Sequence, residues 1–174
     1  MAEPDSPIFF DFDSATSEME PTNYESFRGA LLGHHPVAEN LPDDVREALL
    51  AAVDYCALAY EQANADRGHL FSRLTEDVLL ASVRGLELAL RYRLGRGNRA
   101  SLERLIDQGI ESGVLASTDD HRQVWAALRQ GRNQIAHGRL ERPSFGVATS
   151  RVVGLVIDAV AEMHVGGTTA VADG

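Results

Sequence analysis

The stretch that decides how this chain folds runs from Val124 to Gly138: Val-Trp-Ala-Ala-Leu-Arg-Gln-Gly-Arg-Asn-Gln-Ile-Ala-His-Gly. Val124, Leu128, Gly131 and Ile135 recur at three- and four-residue intervals, the period of a helix with one buried face. Successive residues turn by roughly 100°, so Gln130, Asn133 and His137 share one ridge, while Arg132 lies on another with Trp125, Arg129 and Ala136. Five positions apart, Arg132 and His137 diverge by roughly 140°, too far for one helix face to present both to a small ligand without a long arginine reach or a second subunit. A site shared across a subunit interface is therefore expected.

Working outward, Ser117 or Thr118 caps this helix, Asp119 and Asp120 occupy its electropositive first turn, and Gly138 with Arg142-Pro143 ends it. Before it, Ser101 opens a short helix over 102–112 that Gly113 stops. A longer helix starts near Ser72 or Thr75 and reaches Leu94 before Gly95-Arg96-Gly97-Asn98; its stripe is Val78, Leu79, Val83, Leu86, Leu90 and Leu94. Pro42-Asp43-Asp44 begins another that runs to about Asp66, with Val45, Leu49, Ala52, Val53, Cys56 and Tyr60 inward. The last helix, 145–164, is apolar over more than one face, which places it either at the centre of the bundle or in a dimer surface. No repeat and no alternating strand pattern interrupts this series, so the fold expected is all-α, a bundle of four to five helices.

The division expected is a flexible acidic arm over 1–42, a helical domain over 43–165 and a Gly/Thr/Ala tail over 166–174. Tyr24 to Gly33 reads as a short helix within the arm, ahead of His34-His35-Pro36, whose adjacent histidines lack the spacing of a metal site. Ile8-Phe9-Phe10-Asp11-Phe12 sets three aromatics among acids, a segment suited to tuck onto its own core or to cover a basic cleft. Cys56, the single cysteine, sits in an apolar helical stripe and reads as a small core hydrophobe. No apolar run approaches the roughly 20 residues of a membrane span and the acidic start does not resemble a secretion signal, so a cytoplasmic protein is expected.

Charge bears directly on the partner. The chain carries 26 acids and 16 bases, a net of −10, which by itself argues against phosphate-rich partners. Residues 1–42 hold eight of the acids and one base, leaving the remainder with eighteen acids and fifteen bases, a net of −3. Every base is arginine, the side chain suited to planar phosphate recognition, although a lysine-free chain is equally what coding bias produces. One cluster comprises Arg84, Arg91, Arg93, Arg96, Arg99 and Arg104; another comprises Arg122, Arg129, Arg132, Arg139 and Arg142, around the motif. Glu87, three and four residues from Arg84 and Arg91, reads as part of an ion-pair ladder or as a carboxylate orienting Arg132 or His137.

An arginine, four residues, then a histidine is weak evidence alone, since about 0.55 such pairs are expected by chance among 16 Arg and 6 His in 174 residues. The extended string Arg132-Asn133-x-x-Ala136-His137-Gly138 at the end of a long helix is far rarer, and it resembles the signature of the HEPN superfamily. The resemblance covers 43–165 and implies an all-helical domain that forms a homodimer and cleaves RNA without a metal or cofactor, in a toxin or phage-defence role, with a cognate antitoxin as a partner. It departs from one subgroup, which has a tyrosine two positions after the histidine where this chain has Arg139.

The residues themselves fit that chemistry. RNA carries its own nucleophile, the 2′-hydroxyl, so cleavage needs a proton carrier and donors for the phosphorane oxygens. His137 titrates near neutrality when unperturbed, Arg132 offers a planar fork to the phosphate, and Asn133 can fix the imidazole or the substrate. These three are the candidate catalytic residues, Arg129, Gln130 and Arg139 the candidate substrate-binding ones, and Glu87 a supporting one. Two other readings stay open: an RNA- or nucleotide-binding or dimeric interaction module that does not cut, and a helix end where Arg132 and His137 only satisfy carbonyls.

Overall fold

The computed structural model describes residues 23–65, 68–96, 100–136 and 149–165, and its six elements are all α-helices. They are α1 (Tyr24–His34), α2 (Asp43–Asn64), α3 (Gly68–Leu94), α4 (Leu102–Glu111), α5 (Asp119–Ala136) and α6 (Thr149–Val165). The aromatic-acidic segment 8–12, the tail 166–174 and the stretch 137–148 lie outside the described residues.

Two helices form the frame. Tyr92 donates to Asp44 at 3.3 Å at one end, Leu49 meets Gly85 in the middle, and Leu58 and Gln62 lie beside Leu70 and Leu74 at the other, so α2 and α3 form an antiparallel hairpin. α3 starts at Gly68, ahead of the expected Ser72 or Thr75, because Leu70 and Leu74 extend its apolar stripe toward the far end of α2. Gly85 sets the spacing of the pair: a Cβ there would come within 2.7 Å of Leu49 Cδ2. At the end of α3, Gly95 takes φ +61°, and Gly113 takes φ +70° after α4, the left-handed conformation in which glycine escapes the Cβ clash that ordinary residues suffer.

α1 carries the packed body into the segment assigned to the arm. Asn23 accepts from the Ser26 amide at 3.0 Å while its own N–H donates to Ser26 Oγ at 3.1 Å, a reciprocal cap. Phe27 and Leu31, one turn apart, are buried, and Phe27 stacks on Tyr60 with ring centroids 4.4 Å apart. Asp54 of α2 ties the helix down, accepting from Arg28 Nε at 2.6 Å and from the Tyr24 hydroxyl at 3.2 Å. This sixth helix is the one beyond the four to five expected. His35, which follows it, is not a surface loop histidine: it is half-buried, its Nδ1 lies 2.9 Å from Asp158 Oδ2, and its ring rests on α6 where Gly154 has no side chain.

Of the two places open to the last helix, α6 takes the central one. Val152, Val153, Val156, Ile157, Ala159, Val160 and Met163 are all buried within the chain's own core, against α3, α2 and α1. α4 packs on the second half of α3, where Gly109 lies close against Leu90 and Leu115. α5 adds Val124, Trp125 and Leu128 to the same core. Among the described residues no helix is long and apolar enough to cross a membrane.

Candidate functional site at the end of α5

α5 is positioned from its first turn. Thr118 Oγ1 accepts from the His121 amide at 3.4 Å and lies 2.6 Å from its Nδ1. The His121 ring in turn stacks on Trp125 at 5.8 Å, and Trp125 Nε1 donates to the Ala116 carbonyl at 3.0 Å. Asp120 binds Arg151 of α6 at 2.8 Å, so the two helices start close together.

The ridges expected from helical spacing appear as burial. Val124, Leu128 and Gly131 face the core, whereas Gln130 and Asn133 are exposed on the opposite ridge. Trp125, Arg129 and Arg132 grade from buried to half-buried, so their ridge runs along the margin of the packed face. Arg129 is committed there: its terminal nitrogen donates to Asp107 of α4 at 2.5 Å, and its Nε is buried with no hydrogen-bond partner among the described residues. Arg122 pairs with Asp119 at 3.2 Å. Arg132, half-buried, makes no hydrogen bond or ion pair among the described residues.

Of the candidate residues, Arg129, Gln130, Arg132 and Asn133 therefore lie on the last two turns of α5, with Arg129 and Arg132 on the margin and Gln130 and Asn133 turned outward. His137 and Arg139 lie outside the described residues. Glu87 is engaged elsewhere: it accepts from Arg91, one turn along α3, and Arg91 also donates to the Ala100 carbonyl at 3.1 Å. The carboxylate belongs to an ion pair that ties the end of α3 to the start of α4 and has no hydrogen bond to Arg132. Asp107 is the residue that sequence reasoning missed. Nothing in its spacing marks it, since its role arises only when α4 is laid beside α5.

Among the described residues, no three His, Cys, Asp or Glu side chains stand where they could hold a metal ion together. The arrangement of α5 can present the Arg132 guanidinium, which has no partner among the described residues and is flanked by outward amides, to an anion at the margin of the bundle. Comparison with protein-family models, with curated proteins and with solved structures returns no match.

Proposed function

We propose that this chain is a metal-independent endoribonuclease of the HEPN type that acts as a homodimer in a toxin or defence role. The reading rests on the string Arg132-Asn133-x-x-Ala136-His137-Gly138, and one structural observation supports it. Of the three arginines described on α5, two are held by aspartates and Arg132 makes no hydrogen bond or ion pair among the described residues. A purely structural arginine at a half-buried margin would ordinarily find a carboxylate or carbonyl partner.

In this reading Arg132 holds the non-bridging oxygens of the scissile phosphate. The RNA 2′-hydroxyl attacks the adjacent phosphorus, and the bond from phosphorus to the 5′-oxygen breaks. His137 moves the proton that leaves the 2′-oxygen or the one that the 5′-oxygen gains. Asn133 and Gln130 offer amides to the flanking nucleotides and Arg139 adds positive charge, while Arg129 is held by Asp107 and shapes the margin instead. A second copy supplies another Arg132 and His137, which answers the divergence of the two side chains on one helix.

The test is cleavage of a structured RNA in the presence of a chelator. The intact protein should cut, and Arg132→Ala and His137→Ala should each lower the rate by about 100-fold or more, the usual cost of losing a phosphate-stabilising donor or a general acid-base group. Activity abolished by the chelator, or normal cutting by both variants, overturns the assignment. RNA bound but uncut by the intact protein assigns a binding module instead.

A further inference from the structure

A groove at one end of the bundle lies between the start of α2 and the ends of α3 and α6. Leu41, Val45, Val160 and Met163 make its floor, and Tyr92, Arg93 and His164 stand at its rim, around a volume of about 340 Å³. Tyr92 keeps 59% of its surface open, more than any other large apolar side chain among the described residues. Arg93 is exposed and makes no hydrogen bond or ion pair among the described residues. No carboxylate of the described residues lines this groove. The two acids on the first turn of α2 are engaged: Asp44 accepts from the Val45 amide at 2.9 Å and from the Tyr92 hydroxyl at 3.3 Å, and Asp43 pairs with Arg46 at 3.1 Å. Two grooves on the α2–α3 hairpin have the opposite sign. Asp44, Glu47 and Asp77 line one with Arg84, and Glu76 and Asp77 line the other with Arg73.

An apolar floor with a basic rim suits an apolar segment set among acids, and the chain carries one in Ile8-Phe9-Phe10-Asp11-Phe12. Residues 1–22 around it hold Glu3, Asp5, Asp11, Asp13, Glu18 and Glu20 and no base, so the two acid-lined grooves repel it. The tail over 166–174, which follows α6 directly, offers one branched apolar side chain, Val171. Reach is sufficient within one chain. Tyr24 and Phe27, in the first turn of α1, are fixed at Asp54 and Tyr60 of α2. Those residues are nine and fifteen positions beyond Val45, about 14–22 Å along the α2 axis. Eleven residues lead from Phe12 to Asn23, a span of roughly 36 Å when extended.

We propose that the groove between α2, α3 and α6 seats the chain's own segment 8–12. Laid extended, the segment turns Ile8, Phe10 and Phe12 to the floor and Asp11 and Asp13 to the opposite side, toward Arg93 at the rim. The inference does not depend on the nuclease reading, because its test contains no RNA. In the full chain, a photoreactive benzoylphenylalanine at position 10 or 12 should join on illumination to Leu41, Val45 or Met163 of the same chain, read by mass spectrometry of the single-chain product. Chymotrypsin should cut after Phe10 or Phe12 about threefold faster or more in Arg93→Glu, since reversing one exposed ion pair raises the undocked fraction on which cleavage depends. Arg84→Glu makes the same charge change in an acid-lined groove and should be cut at the parental rate. The crosslink needs no change in the groove, so it stands even where a rim variant disturbs folding. Crosslinks elsewhere in the chain, crosslinks only between chains, or equal cleavage of Arg93→Glu and the parent overturns the proposal. A groove filled by the tail or by another molecule gives one of those results.

Discussion

Arg132 and Arg129 sit three residues apart on one margin of α5, yet their surroundings give them different work. Asp107 neutralises and fixes Arg129, which makes it part of the packing between α4 and α5, whereas Arg132 has no partner for its donors among the described residues. Cys56 shows the opposite use of burial. It is 0% exposed, and desolvation pushes its thiol well above the ordinary range, because a thiolate there would have no water and no cation. Stability attached to the neutral thiol is thus complete below the ordinary thiol pKa of about 8.5 and declines as pH rises beyond it, where only the unfolded chain can ionise. A thiol reagent at pH 8 should leave the native protein unlabelled and modify one thiol per chain once denaturant is added. Labelling of the native protein at the rate of a free cysteine would mean that this part of the core opens.

At the scale of the elements, two glycines inside helices make opposite predictions. Gly29 lies on the exposed side of α1 with nothing within 4 Å of an added Cβ, so Gly29→Ala should stabilise the protein by about 0.5–1 kcal/mol through helix propensity alone. Gly85 lies where α3 presses on α2, and its added Cβ would meet buried Leu49. Overpacking of this kind costs about 1–3 kcal/mol against a propensity gain of about 1 kcal/mol, so Gly85→Ala should lower thermal stability by about 1 kcal/mol, the middle of the difference. Thermal unfolding followed by circular dichroism separates the two, and a Gly85→Ala protein as stable as the parent would show that the hairpin has slack there.

The same elements show what could be read in advance. Caps such as Thr118 and Ser101, stops such as Gly95 and Gly113, and the apolar stripes of α2 to α5 are local patterns, legible because a helix imposes its own period on the residues that build it. The first turns of α3 were missed because glycine is a poor helix former, so Gly68 reads as a break between helices. The direction of Arg132 relative to Gln130 and Asn133 was legible for the same reason as the stripes. Contacts such as Arg129 with Asp107, Arg91 with Ala100 and His35 with Asp158 join residues that no period relates, and they exist only once the helices are placed. The path of the α6 surface was undecided in the sequence because an all-apolar helix suits a core and an interface equally.

Over the whole molecule, negative charge is concentrated at the start of the chain, and the helices from α2 onward are near balance with their arginines clustered. A net acidic protein can still hold RNA when its cations are focused locally, and such binding weakens steeply with salt. The central claim, however, concerns how the phosphodiester is opened, and the ends of the products record that directly. Attack by the 2′-hydroxyl leaves a 2′,3′-cyclic phosphate on one fragment and a 5′-hydroxyl on the other. The decisive measurement is therefore mass spectrometry of the fragments cut in the presence of chelator, alongside the same RNA bearing a single 2′-deoxy nucleotide at the cleaved position. The account predicts cyclic phosphate ends and no cutting at the deoxy position; 3′-hydroxyl and 5′-phosphate ends, or unchanged cutting of the deoxy substrate, would contradict it.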